Sequence, residues 1–220
     1  MGSKSSGFTL IELLIVISVT SIVSVALLGS SLNYYALITR NNAAIDMTAS
    51  SQNLLRSTVE NLLYGGGVRQ SNTITDPNAP AGGWNTSDVN FVIVIASPAA
   101  DASHNYIIDP STGSPYMNEL VYYKSGGSLL ERTLANPSAS GNALKTSCPA
   151  SLATASCPAD KDLADFVSSM TFTLYDQDGA LTTDPTQAQS VNITLTMSRQ
   201  LFERPVSLTN SIRVTLRNRF

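Results

Sequence analysis

Hydrophobic and polar positions along this chain fall into three regimes. After a short polar start, residues 8–28 are almost wholly apolar, and no charged side chain occurs between positions 13 and 39. At a rise of ~1.5 Å per residue, such a run makes a helix long enough to cross the ~30 Å hydrocarbon layer of a bilayer. Polar residues then return at helical spacing. Ile38, Ile45, Ala49, Leu55, Val59 and Leu62 share one arc at about 100° per residue, interrupted by Arg40, Asn41, Asp46, Gln52 and Glu60. Arg56 and Glu60 stand four apart and can pair on the outer side. Gly65-Gly66-Gly67 supplies the backbone freedom that ends the pattern. Residues 9–64 therefore read as one helix of ~84 Å. Gly29, Ser30 and Ser31 form its one weak point, and a smooth helix is expected through them.

The third regime is built from strands and loops. Residues 76–87 are rich in Pro, Gly, Asn and Thr and read as a surface loop. Residues 89–96 are a continuous β-prone run, and residues 120–123 and 129–134 make a hairpin around Ser125-Gly126-Gly127. Residues 136–161 form a long loop of small side chains. Residues 166–175 and 191–197 flank Asp176-Gln177-Asp178-Gly179, and residues 206–216 supply a last strand. The expected fold class is α+β, with an antiparallel sheet of about five strands. Its apolar face would bury the second half of the helix, since neither element can hide its stripe alone.

With 220 residues, the chain has room for one medium domain plus an extended element. A net charge of −3 argues against a nucleic-acid binder, which needs clustered Lys and Arg. The basic C-terminal stretch, with Arg199, Arg204, Arg213, Arg217 and Arg219, reads as solvated strand ends.

The N-terminus is the richest segment. Residues 1–7 carry one positive charge, Lys4, which places that side in the cytoplasm. Glu12 is an ionisable group one turn inside the apolar run, so it requires a partner or a proton. A cut between Gly7 and Phe8 would create an α-amino group about one turn from Glu12, and a neighbouring subunit could bring its own amine closer still. Two other readings compete: a secretory signal peptide cut after Ser24-Val25-Ala26, and a plain single-pass anchor in which Glu12 snorkels to the interface. The apolar run exceeds the usual signal-peptide core, and a plain anchor leaves the Gly-Phe junction unexplained.

Gly7-Phe8-Thr9-Leu10-Ile11-Glu12-Leu13-Leu14 resembles the class III signal of type IV pilins and type II secretion pseudopilins, closely over residues 7–28 and beyond that in general architecture. The resemblance implies that a prepilin peptidase cleaves after Gly7 and methylates the new N-terminal Phe8. It also implies that Glu12 serves subunit assembly. By the same resemblance, residues 1–7 are a leader, 8–30 the membrane and filament-core half of the helix, 31–64 its amphipathic half, and 65–220 the globular domain. The implied partners are prepilin peptidase, other pilin subunits, the assembly platform and the cytoplasmic membrane, with an extracytoplasmic filament as the final location. Many relatives carry a proline midway along the helix, and this chain has none there.

Candidate chemistry elsewhere is sparse. Cys148 and Cys157 enclose a short loop of small residues. The pattern suits a disulfide worth roughly 2–3 kcal/mol outside the cytoplasm, with two free thiols as the alternative. Together with His104 they fall short of a zinc set, and no metal or cofactor is expected. Asp176, Asp178, Gly179 and Asp184 resemble a calcium loop, yet Leu174 stands at the first ligand position and no glutamate closes the loop, so hairpin-turn chemistry is favoured. His104 has no nucleophile motif near it. Asn85-Thr86-Ser87 and Asn192-Ile193-Thr194 match the glycosylation pattern, which also arises by chance. No catalytic residues are assigned. The functional readings are a minor type IV pilin and, as the alternative, a minor pseudopilin of a type II secretion system. An enzyme on a membrane stalk would need clustered His, Cys or acidic residues. DNA uptake would have to run through the C-terminal arginines.

Overall fold

The computed structural model describes residues 9–202 and 204–216. Its first element, α1 (Leu10–Tyr64), is a single helix of 55 residues that passes through Gly29, Ser30 and Ser31 without a break. It stops at Gly65 for a steric reason. A Cβ on that residue would lie 2.5 Å from the carbonyl oxygens of both Asn61 and Ala96. Only glycine lets the chain leave the helix so close to a strand, and Gly66 at once donates its N–H to the Ala96 carbonyl at 2.8 Å.

The strands form two antiparallel sheets. Five make the first, in the order β1 (Val68–Arg69), β2 (Val92–Pro98), β3 (Met117–Ser125), β4 (Ser128–Leu134) and β5 (Lys161–Ala164). Four make the second, where β7 (Leu181–Thr182), β6 (Val167–Tyr175), β8 (Ser190–Leu201) and β9 (Arg204–Thr215) lie side by side. The β3–β4 hairpin closes through Gly126 at φ 59°, a left-handed position that suits the twist of a tight hairpin. The fold is thus α+β, with a long helix on antiparallel strands. Instead of a single sheet of about five strands there are two, because β2, β3 and β4 pair only among themselves and with the short edge strands β1 and β5, and β6, β8 and β9 only among themselves and with β7. Strands that short carry no readable periodicity. Val89 also falls outside β2: it is exposed, and the chain turns at Phe91 before the strand begins.

Both sheets press on α1. One core joins Met47, Leu54, Leu55 and Leu62 of the helix to Ile93, Ile95, Leu120 and Leu129 of the first sheet and to Met170, Phe172, Ile193 and Leu195 of the second. The buried stripe of α1 is Ala43, Met47, Ser51, Leu54, Leu55, Thr58 and Leu62. This shifts the expected arc: Leu55 and Leu62 belong to it, whereas Ile38 and Ile45 point outward, Ile45 being 65% exposed. Small side chains on the stripe let β9 approach closely, and Asn210 on β9 donates from Nδ2 to the Ser51 Oγ at 2.8 Å. Hydrogen bonding and close approach therefore outweigh apolar periodicity in choosing the face. Arg56 and Glu60 do pair, at 3.2 Å, but in solvent, where such a pair contributes only a few tenths of a kcal/mol.

A second apolar cluster covers the opposite face of the first sheet. Trp84, Val92, Val94, Val121 and Leu134 pack there under Ile74 and Ala79 of the preceding loop. β2 is consequently buried on both sides, which accounts for its unbroken apolar run. Leu62 is wholly buried where the helix meets both sheets. Leu62→Ala should destabilise the domain by about 2–5 kcal/mol, measured by chemical denaturation of the detergent-solubilised chain.

Candidate functional site

The start of α1 carries the features singled out from the sequence. Thr9 takes an extended backbone conformation (φ −78°, ψ 149°) as the N-cap. Its Oγ1 accepts from the Glu12 N–H at 3.4 Å and donates to Glu12 Oε2 at 2.8 Å. The same Oε2 accepts the Thr9 backbone N–H at 2.9 Å. This is a reciprocal capping box, legible as Thr-x-x-Glu and not drawn out in the sequence reading. It folds the Glu12 carboxylate back toward the positive end of the helix dipole rather than outward. Gly7 and Phe8 lie outside the described residues.

Beyond this cap, every large apolar side chain from Leu10 to Leu37 is more than half exposed. The helix is long and apolar enough to cross a membrane. Three of its hydroxyls are satisfied internally: Ser18, Thr20 and Ser21 donate to the carbonyls of Leu14, Val16 and Ile17 at 2.7–2.8 Å. Hydroxyls that bond their own helix ask nothing of an apolar environment. Glu12 is the one charged side chain between positions 10 and 37. The model of the prokaryotic N-terminal methylation motif matches residues 2–28. The match covers the start of the chain, with a motif characteristic of type IV pilins and pseudopilins. No curated protein matches its sequence.

The globular part of this chain has its own polar centre, which sequence reasoning missed. Arg132 on β4 is 1% exposed. It binds Asp160 through Nε and Nη2 at 3.0 and 2.6 Å, and Asp76 through Nη1 at 2.9 Å. Trp84 Nε1 donates to Asp76 at 2.7 Å, and the Tyr123 hydroxyl donates to Asp160 at 2.6 Å. The guanidinium also sits 5.4 Å from the Trp84 ring centroid, within cation–π range. Burial alone would raise the Asp160 carboxyl, but hydrogen bonds from Arg132, Ser147 and Tyr123 and the Arg132 charge hold it below its ordinary 3.8. Nothing in the spacing of positions 76, 84, 132 and 160 announces this cluster, because loops that join it are ordered by the cluster itself.

The cluster clamps the two long loops onto the first sheet. Asp160 also accepts from Ser147 Oγ at 2.6 Å, beside the disulfide between Cys148 and Cys157, whose Cα atoms are 5.6 Å apart. Across the base of that loop Cys148 donates its N–H to the Pro158 carbonyl and its own carbonyl accepts from the Asp160 N–H, both at 2.8 Å. Asp176 forms a turn, accepting from Asp178 and Ala180 N–H groups at 2.9 Å. Among the described residues no group of three or more His, Cys, Asp or Glu side chains is poised around a metal. His104 is exposed in a left-handed turn at φ 64°. Asn85 is exposed and bonded to its own loop, whereas Asn192 sits mid-strand between β6 and β9.

Arg132→Ala would leave two buried carboxylates without their counter-charge and should cost about 3–5 kcal/mol in denaturation of the purified chain. Because the folded Asp160 carboxyl is depressed, its stabilising contribution is complete above about pH 4 and is lost as pH falls through the folded value. Asp160→Asn should accordingly flatten the acid limb of the melting temperature against pH.

Proposed function

We propose that this chain is a minor type IV pilin, a structural subunit rather than an enzyme. Prepilin peptidase removes residues 1–7 by cutting between Gly7 and Phe8 and methylates the Phe8 amine. Residues 8–30 hold the subunit in the cytoplasmic membrane with Lys4 on the cytoplasmic side, and afterwards line the filament core. Residues 31–64 and the domain 65–220 stand outside. The observation that carries this reading is the Glu12 carboxylate, turned back onto the Thr9 N–H at the head of an otherwise apolar, uncovered helix. After cleavage the Phe8 amine would begin one residue from the group that Glu12 already holds, so one carboxylate can serve its own terminus or a neighbour's. In an apolar bundle, pairing removes the penalty that either charge would carry alone.

A priming or tip position, with the pilus assembly platform and other pilins as partners, is supported by the elaboration of the domain. Two sheets, a disulfide-bounded loop and an ion-clamped loop layer exceed what covering α1 requires. A minor pseudopilin of a type II secretion system is the alternative outcome of the same tests. Loss of surface fibres on deletion supports the pilus, and loss of folded exoprotein export with fibres intact supports secretion.

Gly7→Ala should abolish processing, so that intact-mass measurement finds the leader retained; a mature chain of normal mass would refute the cleavage assignment. Glu12→Ala should insert into the membrane normally yet reach sheared filaments in much lower amount, as read by immunoblot. Equal incorporation would remove Glu12 from assembly.

A further inference from the structure

The chain that supplies Asp160 to the Arg132 centre reaches it by way of the disulfide. The outer edge of β4 is covered in two pieces. Ser147 exchanges hydrogen bonds with Thr133, both at 2.9 Å, and β5 pairs with Leu129, Leu130 and Glu131. Between the two pieces the chain leaves the sheet at Cys148 and returns at Asp160, the residue before β5. The Cys148–Cys157 bond closes this excursion. Residues 150–156 are all exposed. Among the described residues, 149–157 make one hydrogen bond outside themselves, from Lys145 Nζ to the Ala155 carbonyl at 3.3 Å. A segment that buries so little is fixed by its ends.

The two sulfurs sit in different surroundings. Cys148 is 9% exposed, and Asn78 Nδ2 donates to its Sγ at 3.6 Å. Cys157 is half-buried beside the exposed residues of the loop. Asn78 belongs to the other clamped loop: its carbonyl accepts from Arg132 Nη1 at 3.2 Å, and its N–H donates to Asp76 at 2.8 Å. On the other side, the Cys148 carbonyl accepts the N–H of Asp160, whose carboxylate binds Arg132. Cys148 is thus two hydrogen bonds from the buried guanidinium by either route, through Asn78 or through Asp160.

We infer that this disulfide is a thiol-exchange site and a latch on the Arg132 centre. The partner is a dithiol, the chemistry of a thiol oxidoreductase, which attacks as a thiolate at the more accessible sulfur, that of Cys157. The Sγ–Sγ bond breaks, its electron pair leaves with Cys148, and a mixed disulfide forms at Cys157. The Asn78 amide donates to the departing Cys148 thiolate and makes it the better leaving group. The second thiol of the partner then displaces Cys157, so that the chain gains two electrons and two protons and the partner becomes a disulfide. With the bond open, residues 149–157 regain the freedom of an exposed loop, and Cys148 and Asp160 are no longer clipped together. Asp160 and Asp76 loosen from Arg132, and the loop layer over the first sheet relaxes while α1 and both sheets keep their packing. A disulfide reagent that takes back the two electrons closes the latch.

Trp84 is the only tryptophan and reports on the centre, since its Nε1 bonds Asp76 and its ring centroid lies 4.6 Å from that of Tyr123. The test treats the full-length chain in detergent with dithiothreitol. Trp84 emission should shift to the red and become more open to acrylamide while far-UV circular dichroism stays unchanged, and reoxidation should restore the first spectrum. Cys148→Ser with Cys157→Ser should show the shifted spectrum before and after reductant. Limiting glutathione, followed by acid quenching and peptide mapping, should place the adduct on Cys157. Asn78→Ala should slow adduct formation several-fold, whereas a merely looser loop would speed it. A Trp84 spectrum indifferent to reduction overturns the latch, and so does a collapse of the far-UV signal, because the bond would then hold the whole domain. An adduct on Cys148, or exchange no slower in Asn78→Ala, overturns the roles given to the two sulfurs.

Discussion

One helix has to live in two solvents. Its second half is solvated by a protein core, through a stripe running from Ala43 to Leu62, while its first half offers an all-round apolar surface that no part of the domain covers. Everything else follows from keeping those halves in one rigid element. The domain must grip the helix tightly enough that the free half does not seek cover against it. The grip is made by small residues and hydrogen bonds as much as by bulk. Ala43, Ser51 and Thr58 admit β9, and Ser51 answers Asn210. A broader apolar stripe there would pack less closely and leave greasy surface beside the membrane half.

Away from the helix, the loops face a different problem. Residues 71–85 and 136–160 contain too few apolar side chains to hold themselves down, and they cover the first sheet with help from charge. Arg132, a cation buried between Asp76 and Asp160, ties the two loops to β4, and Trp84 and Tyr123 complete the hydrogen bonding. Such an arrangement adds specificity more than net stability, since a satisfied buried ion pair roughly offsets its own desolvation. It selects one loop conformation, because any other strands a charge in the interior.

These two constraints also explain what could be read in advance. The helix, its extent and its apolar half were legible because a run without charge between positions 13 and 39 and a triple glycine at 65–67 are local signals. The long strands β2, β3, β4, β6, β8 and β9 were legible for the same reason. The division into two sheets was not, because which long strands pair is set by contacts far apart in sequence, and the edges Leu181–Thr182 and Val68–Arg69 are strands only by virtue of their neighbours. The face of α1 was misjudged at Ile38 and Ile45, where periodicity cannot know that a strand will select Ala43 and Ser51 instead. At the helix start, Glu12 stood out by its isolation in an apolar run, whereas its capping partner Thr9 is a single hydroxyl within the same run. The Arg132 centre was illegible altogether, since its members are brought together from 56 and 28 positions away.

The unbroken passage of α1 through Gly29 has a mechanical corollary. A side chain at that position would touch nothing within 4 Å, so the backbone there is supported by its own hydrogen bonds alone. Glycine also weakens a helix by about 1 kcal/mol relative to alanine. Under tensile load along its axis, a rod of this kind would yield first at that link, lengthening by unwinding a turn while the domain and its grip on the second half of α1 stay whole.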